Sequence, residues 1–148
     1  MTINELQQSY ASHPQIEGVL HALAEQSIKH IYCGGLLGSS SALLSSALVQ
    51  QSVVPMIFIL NDMEEAGYFY HDLVQLLGNE QVLFFPSSYR RAIKYGQKDA
   101  ANEVLRTEVL SRLQKQESNL CIVTYPDALA EKVINSQQLG ETILKLHV

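Results

Sequence analysis

The sequence predicts an α/β domain of three layers, a parallel sheet with helices on both of its faces. Short, mainly apolar runs of strand length alternate four times with longer runs whose apolar residues recur every three or four positions. Such alternation is the mark of parallel βαβ units joined by right-handed crossovers. The apolar runs also lack the in–out pattern of a strand with one wet face, so the strands are expected to be covered on both sides.

Composition bounds the class. A chain of 148 residues suits one domain, long enough to bury roughly two thirds of its unfolded surface. Hydrophobic residues make up 47%, yet no run approaches the roughly 18 apolar residues of a membrane span. The first eight residues lack the basic start and apolar segment of a secretion signal. A soluble, cytoplasmic protein with no membrane partner is the expectation. The net charge of -5 weighs against an isolated nucleic-acid-binding module, which would present a basic face. Cys33 and Cys121 lie in strand-like runs without metal-ligand spacing, so they read as small buried hydrophobes.

The elements follow in order. Thr2 and Glu5 have the spacing of a capping box, which starts a first helix at Ile3. A second helix between His13 and Ser27 puts Ile16, Val19, Leu20 and Leu23 on one face and leaves His13 and His21 as ordinary surface residues. Residues 28–33 are the first strand candidate. After a glycine-rich turn, Ala42, Leu43, Leu44, Ala47, Leu48 and Val49 make a helix that should be buried. Residues 53–60 form the second strand, with Pro55 tolerable only near its start. Asn61 or Asp62 caps the next helix, whose Glu64 and Glu65 complement the helix dipole, and Gly78 ends it. No partner acid, base or metal ligand stands near those two acids, so their role is read as structural.

Residues 81–85 are the third strand, stopped by Pro86. The polar stretch behind it, residues 87–98, contains Tyr89, Arg90, Arg91 and Lys94. Aromatics among cations are the elements of a weak nucleic-acid contact, and equally of a solvated loop. Asp99 starts a long helix with Val104, Leu105, Val109, Leu110 and Leu113 as its buried stripe and Arg106 among its surface charges, with Glu108 and Arg112 spaced to pair. Residues 120–124 are the fourth strand and lead through Pro126 into a short helix. The domain is placed at residues 1–135. Residues 136–148 read as the start of a connection into a following domain, with a strand-like alternation from Thr142 to Val148.

The glycine-rich turn is the candidate site. Set against the phosphate-loop pattern G-x-x-x-x-G-K-[ST], alignment on Gly35 and Gly38 puts Ser41 where Lys would reach the β- and γ-phosphates, and Ala42 where a hydroxyl would hold Mg²⁺. Gly35, Gly38, Ser39, Ser40, Ser41 and Ala42 thus form a degenerate phosphate loop from which no ATP hydrolysis is expected. Its backbone amides still suit an anion. The plainer alternative is a tight strand-to-helix turn with Ser39 as an N-cap.

In their order along the chain, several short motifs resemble the N-terminal UvrB-like module of the bacterial transcription-repair coupling factor. They are Gly38-Ser39-Ser40-Ser41-Ala42-Leu43-Leu44, Asn61-Asp62 with Ala66, Phe85-Pro86-Ser87, Arg106-Thr107-Glu108-Val109-Leu110-Ser111-Arg112-Leu113, and Ile122-Val123-Thr124-Tyr125-Pro126-Asp127-Ala128-Leu129. The resemblance implies a helicase-like fold similar to the first domain of UvrB. It also implies a parent that is an ATP-driven DNA translocase, which displaces stalled RNA polymerase and recruits UvrA for excision repair. ATP and Mg²⁺ would then belong to a downstream motor. UvrA would be met through the following domain, and DNA and RNA polymerase through domains further on. Two departures point to a scaffold and not a motor: the loop Lys is replaced by Ser41, and residues 89–98 are too short for the aromatic hairpin with which UvrB clamps DNA. No catalytic residue, metal or cofactor is expected in this chain. An alternative of a different class is a phosphosugar- or phosphate-binding domain using Ser39, Ser40 and Ser41.

Overall fold

The computed structural model describes residues 2–25, 27–52, 54–89 and 99–133. They form an α/β fold around a small parallel sheet of three strands, β1 (Met56–Ile59), β2 (Val82–Phe85) and β3 (Cys121–Thr124), in the order β1-β3-β2. The last strand in sequence is therefore the middle one. Its register pairs Ile57, Ile122 and Leu83 side by side, then Phe58, Val123 and Phe84.

Six helices are described: α1 (Ile3–Ala11), α2 (Pro14–Ala24), α3 (Ser40–Gln51), α4 (Met63–Leu77), α5 (Ala100–Gln114) and α6 (Pro126–Leu129). Their starts follow the chemistry of their caps. Thr2 and Glu5 exchange the two hydrogen bonds of a capping box, 3.3 Å from the Glu5 amide to Thr2 Oγ1 and 2.8 Å from the Thr2 amide to the Glu5 carboxylate. Asp62, not Asn61, caps α4 by accepting from the Glu65 amide at 2.9 Å. Asn61 instead donates to the Glu65 carboxylate. Asp99 caps α5, and Gly78 ends α4 with a φ of 85° that a side chain would resist. His13 is more than a surface residue, because its Nδ1 accepts from the Gln15 amide and caps α2.

A helix lies against each side of the sheet. The odd-numbered side chains of β3 share a face with Phe58 and Phe84, which stack against Phe69 and Tyr70 of α4 at centroid distances of 5.4 and 5.3 Å. The opposite face carries Phe85, over whose ring the Arg106 guanidinium of α5 sits at 4.2 Å. α3 packs on α4 and α1 through its small residues Ala42, Ser45, Ser46 and Ala47, all buried. β3 is buried along its whole length. Cys121 lies within it, and burial pushes its thiol up to about 12.

Several expectations are corrected. Residues 28–33 form no strand, and Ile28, Ile31 and Tyr32 are exposed, so the run has the composition of a strand without a neighbour to pair with. Cys33, at its end, is only half-buried. The second predicted strand shortens to β1, and its Ile57 and Ile59 face solvent instead of a second layer. In α5 the buried stripe is rotated: Val104 is exposed and Arg106 is inside. In α2, Leu23 is exposed while Ile16 is buried. Arg112 pairs with Glu117 at 2.7 Å and donates to the Glu80 carbonyl, in place of the expected pairing with Glu108. The proposed boundary near residue 135 and the run 142–148 lie outside the described residues.

Candidate functional site

The glycine-rich turn is described in full. Gly35 and Gly38 have φ of 79° and 54°, so both occupy the left-handed region that glycine adopts without strain. Ser39 takes the N-cap position of α3, but its side chain makes no cap bond, contrary to the expected role. Ser41 Oγ donates to the Gly38 carbonyl at 3.3 Å. Ser40 Oγ is buried and has no partner among the described residues. Ala42 is 0% exposed and belongs to the core.

Beside the turn lies a cavity of about 610 Å³ between Gly34, Gly35 and Leu36 on one side and Tyr10, His13 and Ile16 on the other. No Lys or Arg lines it, and neither do Ser39, Ser40 or Ser41. The lining of the space next to the turn thus lacks the fixed positive charge that a phosphate chain needs. Of the second predicted cluster, Tyr89 is partly exposed, while Arg90, Arg91 and Lys94 lie outside the described residues.

A further polar constellation, which sequence reasoning missed, stands where β2 and β3 end. In parallel α/β sheets this carboxyl edge is where ligands usually bind. Glu131 accepts from the hydroxyls of Ser87 and Ser88 and from the Ser88 amide, and Arg106 Nη1 lies 3.7 Å from its carboxylate. Arg106 Nη1 also donates to the carbonyls of Pro86 at 2.8 Å and Ala128 at 3.0 Å. The Tyr125 hydroxyl accepts from the Ser87 amide, and Asn102 donates to the Ser87 carbonyl. The side chains of Arg106 and Glu131 are only 8% and 14% exposed. Burial alone would push the Glu131 carboxyl up. The hydrogen bonds from Ser87 and Ser88, with the Arg106 charge, outweigh burial and hold it below the usual glutamate value.

This corner ties the loop after β2 to α5 and to the segment after α6. Its carboxylate already accepts three hydrogen bonds and faces a cation, so it has little capacity left to act as a base. The one open valence is Arg106 Nη2, buried without a partner among the described residues. A phase signal for Arg106 was present in the sequence, because Asn102, Arg106 and Val109 fall on one helical face. A residue-by-residue reading of charge as exposure hid it. Among the described residues no cluster of His, Cys, Asp and Glu suits a metal ion, and no helix is long and apolar enough to cross a membrane. Comparison with family models, curated proteins and solved structures returned no match.

Proposed function

We propose that this chain is a non-catalytic scaffold and regulatory module of a transcription-repair coupling factor, with a fold like the first domain of UvrB and a degenerate phosphate loop. The observation that carries the proposal is the state of the glycine-rich turn. Its backbone keeps the positive-φ glycines that lead into a helix, while Ser41 is tied to the Gly38 carbonyl and Ala42 is sealed in the core. A loop with that form and those side chains suits a domain descended from a nucleotide binder and kept for its shape. In this reading the rest of the parent is the intramolecular partner, UvrA binds through the following domain, and ATP, Mg²⁺, DNA and RNA polymerase belong downstream.

Calorimetry with Mg-ATP tests the loop: no heat of binding is expected at millimolar nucleotide, and binding competed by Mg-ADP would overturn the assignment. Side-by-side UvrA affinities for residues 1–148 and for a polypeptide extended through the following domain test the scaffold role. Weak binding by the first and tight binding by the second is expected. Equal, tight binding would place the recruiting surface here instead. The buried Ser40 Oγ, without a partner among the described residues, favours the second reading, a phosphate- or phosphosugar-binding domain. A thermal-shift screen with sulfate and sugar phosphates decides between the two, because only the second predicts saturable stabilisation lost in Ser40→Ala.

A further inference from the structure

We infer that Ser87, Ser88 and Arg106 form a receptor for a phosphoryl group at the carboxyl edge of the sheet, and that Glu131 holds it closed as a tethered stand-in for that ligand. What surrounds the Glu131 carboxylate is what an oxyanion needs. Ser87 Oγ donates to Oε1 and Ser88 Oγ to Oε2 at 2.6 Å, the Ser88 amide reaches the two oxygens at 3.1 and 3.0 Å, and Arg106 Nη1 supplies charge at 3.7 Å. Hydroxyls, a main-chain amide and a guanidinium are donors suited to phosphate as well as to carboxylate.

Two observations separate the receptor from its occupant. The receptor is fixed without Glu131: the Ser87 amide donates to the Tyr125 hydroxyl at 2.9 Å, Asn102 donates to the Ser87 carbonyl at 2.8 Å, and Arg106 is set by the carbonyls of Pro86 and Ala128 and by the Phe85 ring. Around the occupant, by contrast, Leu129, Ala130, Lys132 and Val133 are all exposed, so the carboxylate can leave without unpacking its neighbours. The second observation is a count of donors. A carboxylate has two oxygens and both are engaged, yet Arg106 Nη2 is buried with no partner among the described residues. A phosphoryl group brings a third oxygen and more negative charge, which a guanidinium can meet with both terminal nitrogens. That surplus donor selects phosphoryl over carboxylate. A short tether keeps Glu131 at an effective concentration in the millimolar range, so free ligand competes poorly while the carboxylate is in place. The receptor shares no residue with the glycine-rich turn and stands apart from either reading of that turn.

Calorimetric titration of Glu131→Ala with inorganic phosphate, at ionic strength held constant with chloride, tests the inference. Saturable binding is expected, about tenfold or more weaker in the wild-type chain. The Ser88 amide resonance should move with the titration, and adding Ser88→Ala to Glu131→Ala should weaken binding by about tenfold. Should Glu131→Ala fail to fold, Glu131→Gln keeps the shape without the charge and should bind phosphate more tightly than the wild type does. Glycerol 3-phosphate in a parallel titration separates the sources: tighter binding of the ester marks the terminal group of a larger ligand, and tighter binding of phosphate marks the free anion. No binding by either Glu131 variant, or binding indifferent to Ser88→Ala, overturns the inference. Acetate bound as tightly as phosphate overturns it too, since the surplus Arg106 donor would then go unused. Binding lost in Ser40→Ala would place the anion at the glycine-rich turn instead.

Discussion

Among the described residues, polar side chains gather at the glycine-rich turn into α3 and at the corner where β2 and β3 end, and the two are built in opposite ways. At the corner, hydroxyls, a guanidinium, a carboxamide and a carboxylate are enclosed and bound to one another and to three carbonyls. At the turn, three consecutive serines make one weak side-chain bond and no cap. The serine-rich segment that looked like chemistry is lightly constrained, while the arginine that looked like surface decoration is a structural centre. Energetic weight follows burial and pairing, not the density of polar residues in the sequence.

Arg106→Ala should have the largest effect. It strands two buried carbonyls and leaves Glu131 without its cation, at a cost of about 3–5 kcal/mol. Urea denaturation measures the loss, and a loss under 1 kcal/mol would remove the contrast between the two places.

Glu131→Gln should cost less, about 1–3 kcal/mol, because the shape and some hydrogen bonding survive. The sign of its pH dependence is fixed. The folded carboxyl titrates below the unfolded one, so its contribution is complete above the unfolded value and is lost as pH falls through the folded one. Wild-type stability should therefore drop as pH falls below about 5 more steeply than that of the glutamine variant. Parallel curves would mean that the corner does not depend on an ionised Glu131.

At the turn, Gly38→Ala should cost about 1–2 kcal/mol through its positive φ alone, since a Cβ there meets nothing within 4 Å. The smallest effect sharpens the comparison most. Ser39→Ala should change stability by less than about 0.5 kcal/mol, whereas Asp62→Ala, removing a cap that is made, should cost about 1 kcal/mol. Thermal melts of the two variants in parallel test the pair, and equal losses would restore Ser39 as a working cap.

Much of the fold was legible because it rests on local rules. The capping box at Thr2, the Asp caps, the Gly78 stop and three of the four apolar runs lead to the helices and strands observed. What was not legible depends on neighbours. Residues 28–33 have the right residues for a strand, but strand formation needs an adjacent edge, and no periodicity reveals whether one is present. Ile57 and Ile59 read as buried because an apolar run gives no sign of how far the covering helix extends. Arg106 was misplaced for a related reason: its burial is set by carbonyls of Pro86 and Ala128 and a carboxylate 25 positions on, none of which leaves a mark near it in the sequence. The degenerate loop was legible in its residues, yet its lack of side-chain contacts and the uncharged cavity beside it were not.

The strand order β1-β3-β2 also has a consequence in time. The two outer strands are made first and have no contact with each other, and the strand that joins them comes last. During synthesis at about 5–20 residues per second, β1 and β2 would wait about 2–8 s after residue 85 for β3 to be translated, with their hydrogen-bonding edges open. The sheet therefore cannot form until residues 121–124 are available, because β3 is the strand with which both β1 and β2 pair. A nascent chain stalled before that point would hold its most aggregation-prone segments, MIFI and VLFF, exposed together.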